Sequence, residues 1–127
     1  MNNLLLVAAG GSVGAVVRYL ISDAVKTTWP VYGATGTLIV NVVGSLLIGL
    51  LLGTASEPKS LTESTRLLLV TGFLGGLTTF SSLAHETVRL STREAGGSLT
   101  LALSHLSANV ILGLAAVWVG AWLRRGV

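Results

Sequence analysis

Four long apolar stretches constrain this chain more than any other feature of its sequence. The clearest runs from Thr27 to Ser56 without a single Asp, Glu, Lys or Arg. A helix that crosses a bilayer needs about 20 mostly apolar residues, and residues 4–21, 67–83 and 95–123 supply three further stretches of this kind. With short connections, four crossings use residues 1–127. The sequence therefore predicts an all-α membrane protein with a single domain of four transmembrane helices.

Composition excludes several other classes of protein. Only 10% of the residues are charged, whereas 51% are hydrophobic, and soluble domains are typically about 25% charged. The chain has no cysteine, which removes disulfides and thiolate metal sites. The eight basic residues are scattered, so no basic face is predicted for nucleic acid. No nucleophile–base pair or phosphate-binding loop is recognisable, and we expect no enzyme activity.

The distribution of basic residues bears on orientation in the membrane. With four spans, one side of the bilayer has four basic residues and the other side has three. The first set is Lys59, Arg66, Arg124 and Arg125, and the second is Lys26, Arg89 and Arg93. So small a difference selects neither orientation by the positive-inside rule. The pattern favours dual topology, with two copies inserted in opposite directions as an antiparallel dimer.

The second stretch has a polar face. Thr37, Asn41 and Ser45 are spaced four apart and share one side of a helix. Their hydroxyl and amide groups need hydrogen-bond partners in hydrocarbon. Two interpretations remain open from the spacing alone: contacts that join neighbouring helices, or one wall of a polar pathway.

The third stretch contains poor helix-forming residues at its middle. Glycine occurs at positions 72, 75 and 76, and Thr78 and Thr79 follow. We predict that the helix is broken between Gly72 and Thr79, since discontinuous helices serve transport proteins by freeing backbone carbonyls and N–H groups for ions. The alternative is a continuous helix whose glycines only permit close packing.

Further side chains are candidates for contact with an ion. Phe80 follows the predicted break, and the edge of its ring is electropositive. Arg18 and Glu86 are charges within or at the edge of spans, where charge is costly and often functional. His105 and Asn109 are four apart in the fourth stretch, and we expect a structural role because no carboxylate or other histidine is placed to complete a metal site with His105.

Small residues predict close helix contacts. Gly10, Gly11 and Gly14 lie in the first stretch, and Gly49 and Gly53 lie in the second. Such spacings let helix backbones approach one another. Four short helices enclose little volume, so an aqueous path is expected to need a second copy of the chain.

Three motifs, in order, resemble the Fluc (CrcB) family of fluoride channels. They are Gly10-Gly11-x-x-Gly14-Ala15-x-x-Arg18-Tyr19, Gly36-Thr37-Leu38-x-Val40-Asn41-x-x-Gly44-Ser45 and Gly72-x-x-Gly75-Gly76-x-Thr78-Thr79-Phe80-Ser81. The likeness covers three of the four predicted helices. It implies a passive, fluoride-selective channel of the bacterial inner membrane that lets fluoride leave the cytoplasm.

The resemblance also implies an assembly and a set of site residues. Family members are antiparallel dual-topology dimers with two pores and a structural sodium ion at the dimer interface. By position, backbone carbonyls of Gly75 and Thr78 would bind the sodium ion. The ion pathway would include Asn41, Phe80, Ser81, Ser82, Glu86, Thr37 and Arg18.

One position departs from the family pattern, in which a second phenylalanine often follows the first by three residues. Here that position is Leu83. Leucine offers no electropositive ring edge, so the two-ring form of the pathway is in question. The second copy is expected to be identical, with a paralogous partner as the alternative.

Two other functions compete with a channel. A proton-coupled exporter of cationic drugs would need a carboxylate in mid-membrane, usually in the first helix, yet the first acid there is Asp23. A non-transporting membrane assembly subunit would use its polar residues only for packing.

Overall fold

The structure is a computed structural model that describes residues 2–28, 34–53, 61–92 and 96–125. Within these ranges every regular element is helical, in agreement with the predicted fold class. The elements are α1 (Asn2–Thr28), α2 (Thr35–Leu52), α3 (Glu63–Thr65), a π-helix (Arg66–Leu74), α4 (Gly75–Leu77), α5 (Phe80–Ser91) and α6 (Leu99–Arg125).

Four helical spans in the described residues are long and apolar enough to cross a membrane. They are α1, α2, the composite third span Glu63–Ser91 and α6. All four spans differ in their ends from the predicted stretches. Helix α2 covers only Thr35–Leu52 of the second stretch, whose first two residues belong to α1, and α6 runs from Leu99 to Arg125. Helix α1 continues past Ile21 to Thr28, and the third span continues past Leu83 to Ser91. In both cases the helix includes charged residues beyond its apolar part. A hydropathy pattern marks only the apolar part and so underestimates the length of the helix. Lys59 and Arg93, used above in the charge count, lie outside the described residues.

The third span is broken, but over a shorter segment than the sequence predicts. Gly72, Gly75 and Gly76 are all helical, within the π-helix and α4. Only Thr78 (φ −83°, ψ 156°) and Thr79 (φ −153°, ψ 118°) have extended backbones. The expectation that unwinding begins at Gly72 is therefore wrong. Helix propensity does not decide these positions: Gly72 and Gly76 pack against the backbone of α1 in helical geometry, and Gly75 lies between them.

Glycines bring α1 and the third span into direct backbone contact. A Cβ atom at Gly10 or Gly14 would overlap backbone atoms of Leu68 or Phe73, and one at Gly76 would overlap Gly11. The small-residue motif of the first helix therefore has the packing role that its spacing predicts. It fixes the height of the third span against α1, and so the depth of the break.

A second glycine contact joins α2 to α6. A Cβ atom at Gly49 would overlap the carbonyl of Val117, and one at Gly120 would overlap that of Leu46. Leu74 and Leu77, just before the break, pack with Val40 of α2 in a buried cluster. The segment before the break thus packs on the backbone of α1 on one side and on a side chain of α2 on another.

The outer surface is largely apolar, apart from α5. Large side chains of α1 and α6 are exposed, including Leu4, Leu5, Ile111, Trp118 and Trp122. An apolar exterior on helices of this length suits a lipid environment. Together with the four spans, it makes this a multi-pass membrane protein. Helix α5 instead exposes Ser81, His85 and Arg89, so one face of the third span is polar.

Candidate functional site

The break in the third span is held by Asn41 of α2. The backbone N–H of Thr79 donates to Oδ1 of Asn41 at 2.9 Å, and Nδ2 of Asn41 donates to the carbonyl of Thr79 at 3.2 Å. The N–H of Thr79 no longer has a helical acceptor, and the amide oxygen of Asn41 supplies one, while the amide nitrogen adds a donor to the carbonyl. Asn41 therefore stabilises the extended conformation of Thr79.

The break changes the partners of two backbone carbonyls. In a continuous helix, Gly75 and Thr78 would accept from the N–H groups of Thr79 and Ser82. Here the N–H of Thr79 binds Asn41, and that of Ser82 donates to Oγ1 of Thr79 at 3.2 Å. The usual donors are therefore engaged elsewhere. These are the two residues whose carbonyls the family resemblance assigns to a cation.

A cluster of hydroxyl groups begins α5. Thr79 is its N-cap, and Oγ1 of Thr79 lies 3.1 Å from Oγ of Ser81 and donates to Oγ of Ser82 at 3.2 Å. A threonine N-cap accounts for the restart of the helix at Phe80. The side chain of Thr79 is thus hydrogen-bonded to α5, and its backbone is hydrogen-bonded to Asn41.

Glu86 lies one turn further along α5 and contacts two other helices. Oγ1 of Thr37 donates to Oε1 of Glu86 at 2.9 Å. Oε2 of Glu86 lies 3.3 Å from Nε2 of His105 on α6. The sequence singled out both Glu86 and His105 but did not predict that they meet. Nothing in the sequence spacing relates positions 86 and 105, which meet only because α5 packs on α6.

Asn109 also belongs to this group of polar residues. Nδ2 of Asn41 donates to Oδ1 of Asn109 at 3.0 Å, and Nδ2 of Asn109 donates to the backbone carbonyl of His105 at 3.0 Å. Asn109 is 5% exposed. Its spacing of four from His105 was the only sequence signal that both would face the site. Among the described residues, no group of three His, Cys, Asp or Glu side chains could hold a metal.

The polar residues form one connected set, which we call the polar network. It runs from Thr37 through Glu86 to His105 and Asn109, and from there through Asn41 to the break. Its members come from α2, the third span and α6. They are Thr37, Asn41, Thr79, Ser81, Ser82, Glu86, His105 and Asn109.

Two open cavities flank the break. One, of about 350 Å³, is a groove between α2 and the third span, and its lining includes Ser45, Gly75, Thr78 and Phe80. Phe80 lies at the edge of this groove and is 79% exposed. The other cavity, of about 340 Å³, is lined by Lys26, Ser81, Ser82, His85 and Glu86.

Two sequence candidates lie apart from the polar network. Arg18 is half-buried on α1 and makes no hydrogen bond or ion pair with it. Leu83 lines the 350 Å³ groove but is itself only 5% exposed. The residue three positions after Phe80 is therefore part of the packing within the chain, whereas Phe80 projects from it.

Comparison with known proteins gives a consistent result over almost the whole chain. Residues 5–121 match the model of a family described as CrcB-like protein, Camphor Resistance (CrcB). A Roseiflexus protein named fluoride-specific ion channel FluC is 43% identical over 123 residues, which is 97% of each chain.

Two further relatives have the same name. The fluoride-specific ion channel FluC of Pseudomonas putida strain F1 is 44% identical over 119 residues, which is 94% of each chain. That of Agrobacterium fabrum is 41% identical over 128 residues, which is 100% of this chain and 99% of the relative. The likeness therefore includes the fourth helix, which carried little of the motif resemblance.

Proposed function

Because the chain belongs to the CrcB family, whose members are ion channels and not enzymes, we propose that it is a passive, fluoride-selective channel. The observation that carries this proposal is full-length similarity to relatives named fluoride-specific ion channels. The polar network around the broken third span is consistent with it, since irregular backbone at membrane depth is tolerated where it is buried or lines a cavity.

Fluoride is strongly hydrated, so a selective path must replace its water with donors that bind weakly enough to release it. Phe80 and Ser81 are well exposed at the break and are our choices for direct contact, through a ring edge and a hydroxyl. Ser82, Thr37 and Glu86 continue the path along α5. Asn41 has both amide hydrogens engaged, by Thr79 and Asn109, so its role in the pathway is to position the break.

The functional unit would be an antiparallel dimer of identical chains with two pores. The 350 Å³ groove supports this proposal, because it leaves Phe80 and the Gly75–Thr78 segment open on one face of the chain. A second copy seated there would cover both. Oppositely inserted copies would agree with the nearly equal numbers of basic residues on the two sides.

A structural sodium ion at the centre of this dimer fits the residues present. The carbonyls of Gly75 and Thr78 have lost their usual helical donors, as described above. Carbonyl oxygens replace the hydration shell of alkali cations in channel proteins. When bound, the ion would supply positive charge that offsets the carbonyl dipoles of both chains. We expect dimers to dissociate more readily when sodium is replaced by N-methylglucamine, as measured by crosslinking in detergent.

The cellular role would be release of accumulated fluoride from the cytoplasm across the bacterial inner membrane. A channel suffices for this, because the fluoride gradient itself drives the flux. Arg18, half-buried on α1, would contribute positive charge near the path without contacting the polar network.

Fluoride efflux from proteoliposomes tests the proposal. Vesicles loaded with potassium fluoride, with a potassium ionophore to balance charge, should release fluoride to an electrode, while chloride-loaded vesicles should not. Release that requires an imposed proton gradient would indicate a coupled exporter. No flux of either anion would favour an assembly subunit.

A further inference from the structure

Glu86 presents a physical problem for any anion pathway. Its carboxylate lies in the membrane-spanning third span and lines the 340 Å³ cavity with Ser81 and Ser82. A full negative charge there would repel a passing anion, and the repulsion grows as water is excluded. The environment of both carboxylate oxygens therefore affects whether anions can pass.

The two oxygens have different partners. Oε1 accepts a hydrogen bond from Thr37, which is 4% exposed. Oε2 is buried and has no hydrogen bond within the described residues, and the same is true of Nε2 of His105. These two atoms lie 3.3 Å apart.

Two lone pairs facing each other at this distance repel, so a hydrogen must lie between the two atoms. An imidazole with its hydrogen on Nε2 supplies it. Buried polar atoms are almost always paired, and these two lie within hydrogen-bond distance of each other.

We propose that His105 is a positioning residue for anion passage: it covers Oε2 of Glu86 as Thr37 covers Oε1. With both oxygens covered, the carboxylate is held in one position between α2 and α6 at the edge of the cavity. This inference rests on the proposed channel function and assigns a role to the fourth helix.

Two helices other than α5 contact the carboxylate of Glu86: α2 through Thr37 and α6 through His105. His105 is in turn held by Asn109, whose Nδ2 donates to its backbone carbonyl. Lys26 and His85 face the same cavity from its outer side, but neither is within ion-pair distance of Glu86 in the structure.

Substitutions at His105 test the role of the Nε2 donor. Glutamine places an N–H near the position of Nε2, whereas asparagine is shorter and does not reach Oε2. His105→Asn should lower the initial rate of fluoride efflux by at least about tenfold, as for a buried charged acceptor that loses its donor. His105→Gln should stay within about threefold of wild type. Both variants are polar, and a matched thermal melt for each confirms folding.

The decisive control removes the charge. In a Glu86→Gln background there is no carboxylate to cover, so His105→Asn and His105→Gln should give equal efflux. Ser104→Ala, on an exposed part of α6, should have no effect. Equal efflux of the two His105 variants in the Glu86 background would overturn the inference, as would an undiminished difference in the Glu86→Gln background. Failure of the wild-type protein to pass fluoride would instead overturn the proposed function.

Discussion

Asn41 binds Thr79 through both backbone groups of that residue, accepting from its N–H at 2.9 Å and donating to its carbonyl at 3.2 Å. One side chain from α2 thus supplies the acceptor that the N–H of Thr79 loses at the break and adds a donor to its carbonyl. A buried peptide group without a partner costs several kcal/mol in hydrocarbon. The pairing therefore makes a break between two helical segments stable at membrane depth.

Asn41→Asp should abolish fluoride efflux. Aspartate can still accept from Thr79 but cannot donate to its carbonyl or to Asn109. It also adds a charge, which costs about 2.5–3.5 kcal/mol near the bilayer centre. We expect the efflux rate in proteoliposomes to fall by about a hundredfold or more. Val43→Ala, on the exposed side of the same helix, is the control, and wild-type efflux by Asn41→Asp would contradict this assignment.

Asn109→Leu should destabilise the protein and reduce efflux together. It removes the acceptor for one hydrogen of Asn41 Nδ2, and it leaves the carbonyl of His105 without the side-chain donor seen in the structure. An unsatisfied buried donor costs about 1–3 kcal/mol, which thermal unfolding in detergent would detect. Ser107→Ala, two residues away and exposed, should unfold as wild type does. Unchanged stability of Asn109→Leu would show that the contact with Asn41 is dispensable.

Gly14→Ala and Gly11→Ala should differ sharply in stability. A Cβ atom at Gly14 would overlap the backbone of Phe73, whereas one at Gly11 would meet only the carbonyl of Gly72 at an ordinary 3.8 Å. Overpacking of this kind costs about 1–3 kcal/mol. We expect Gly14→Ala to have a lower melting temperature than wild type and Gly11→Ala to melt as wild type does. Similar melting temperatures for the two variants would mean that α1 and the third span pack less closely than described.

Phe80→Leu should impair permeation without unfolding the chain. The ring is largely exposed, so its loss removes little buried area within one chain, but leucine lacks the electropositive ring edge. We expect fluoride efflux to fall about tenfold or more, at an unchanged content of helix by circular dichroism. Val88→Ala on the same helix is the matched control. Efflux by Phe80→Leu at the wild-type rate would exclude the ring from the pathway.

The sequence by itself determined the four spans and the family, because long uncharged stretches and three glycine-rich motifs are local patterns. It also predicted a break in the third span between Gly72 and Thr79, of which only Thr78 and Thr79 are unwound. It could not predict that Gly72, Gly75 and Gly76 stay helical, since propensity favours unwinding there, whereas Gly72 and Gly76 pack against the backbone of α1.

Tertiary structure alone decided the partners of the polar residues. His105 meets Glu86 because α6 packs against α5, and Asn109 meets Asn41 because α6 packs against α2 through glycine contacts. Such pairs are separated by tens of residues in the chain, and no periodicity relates them. Which donor covers which acceptor depends on the distance between helices, and that distance is set by backbone contacts at glycines.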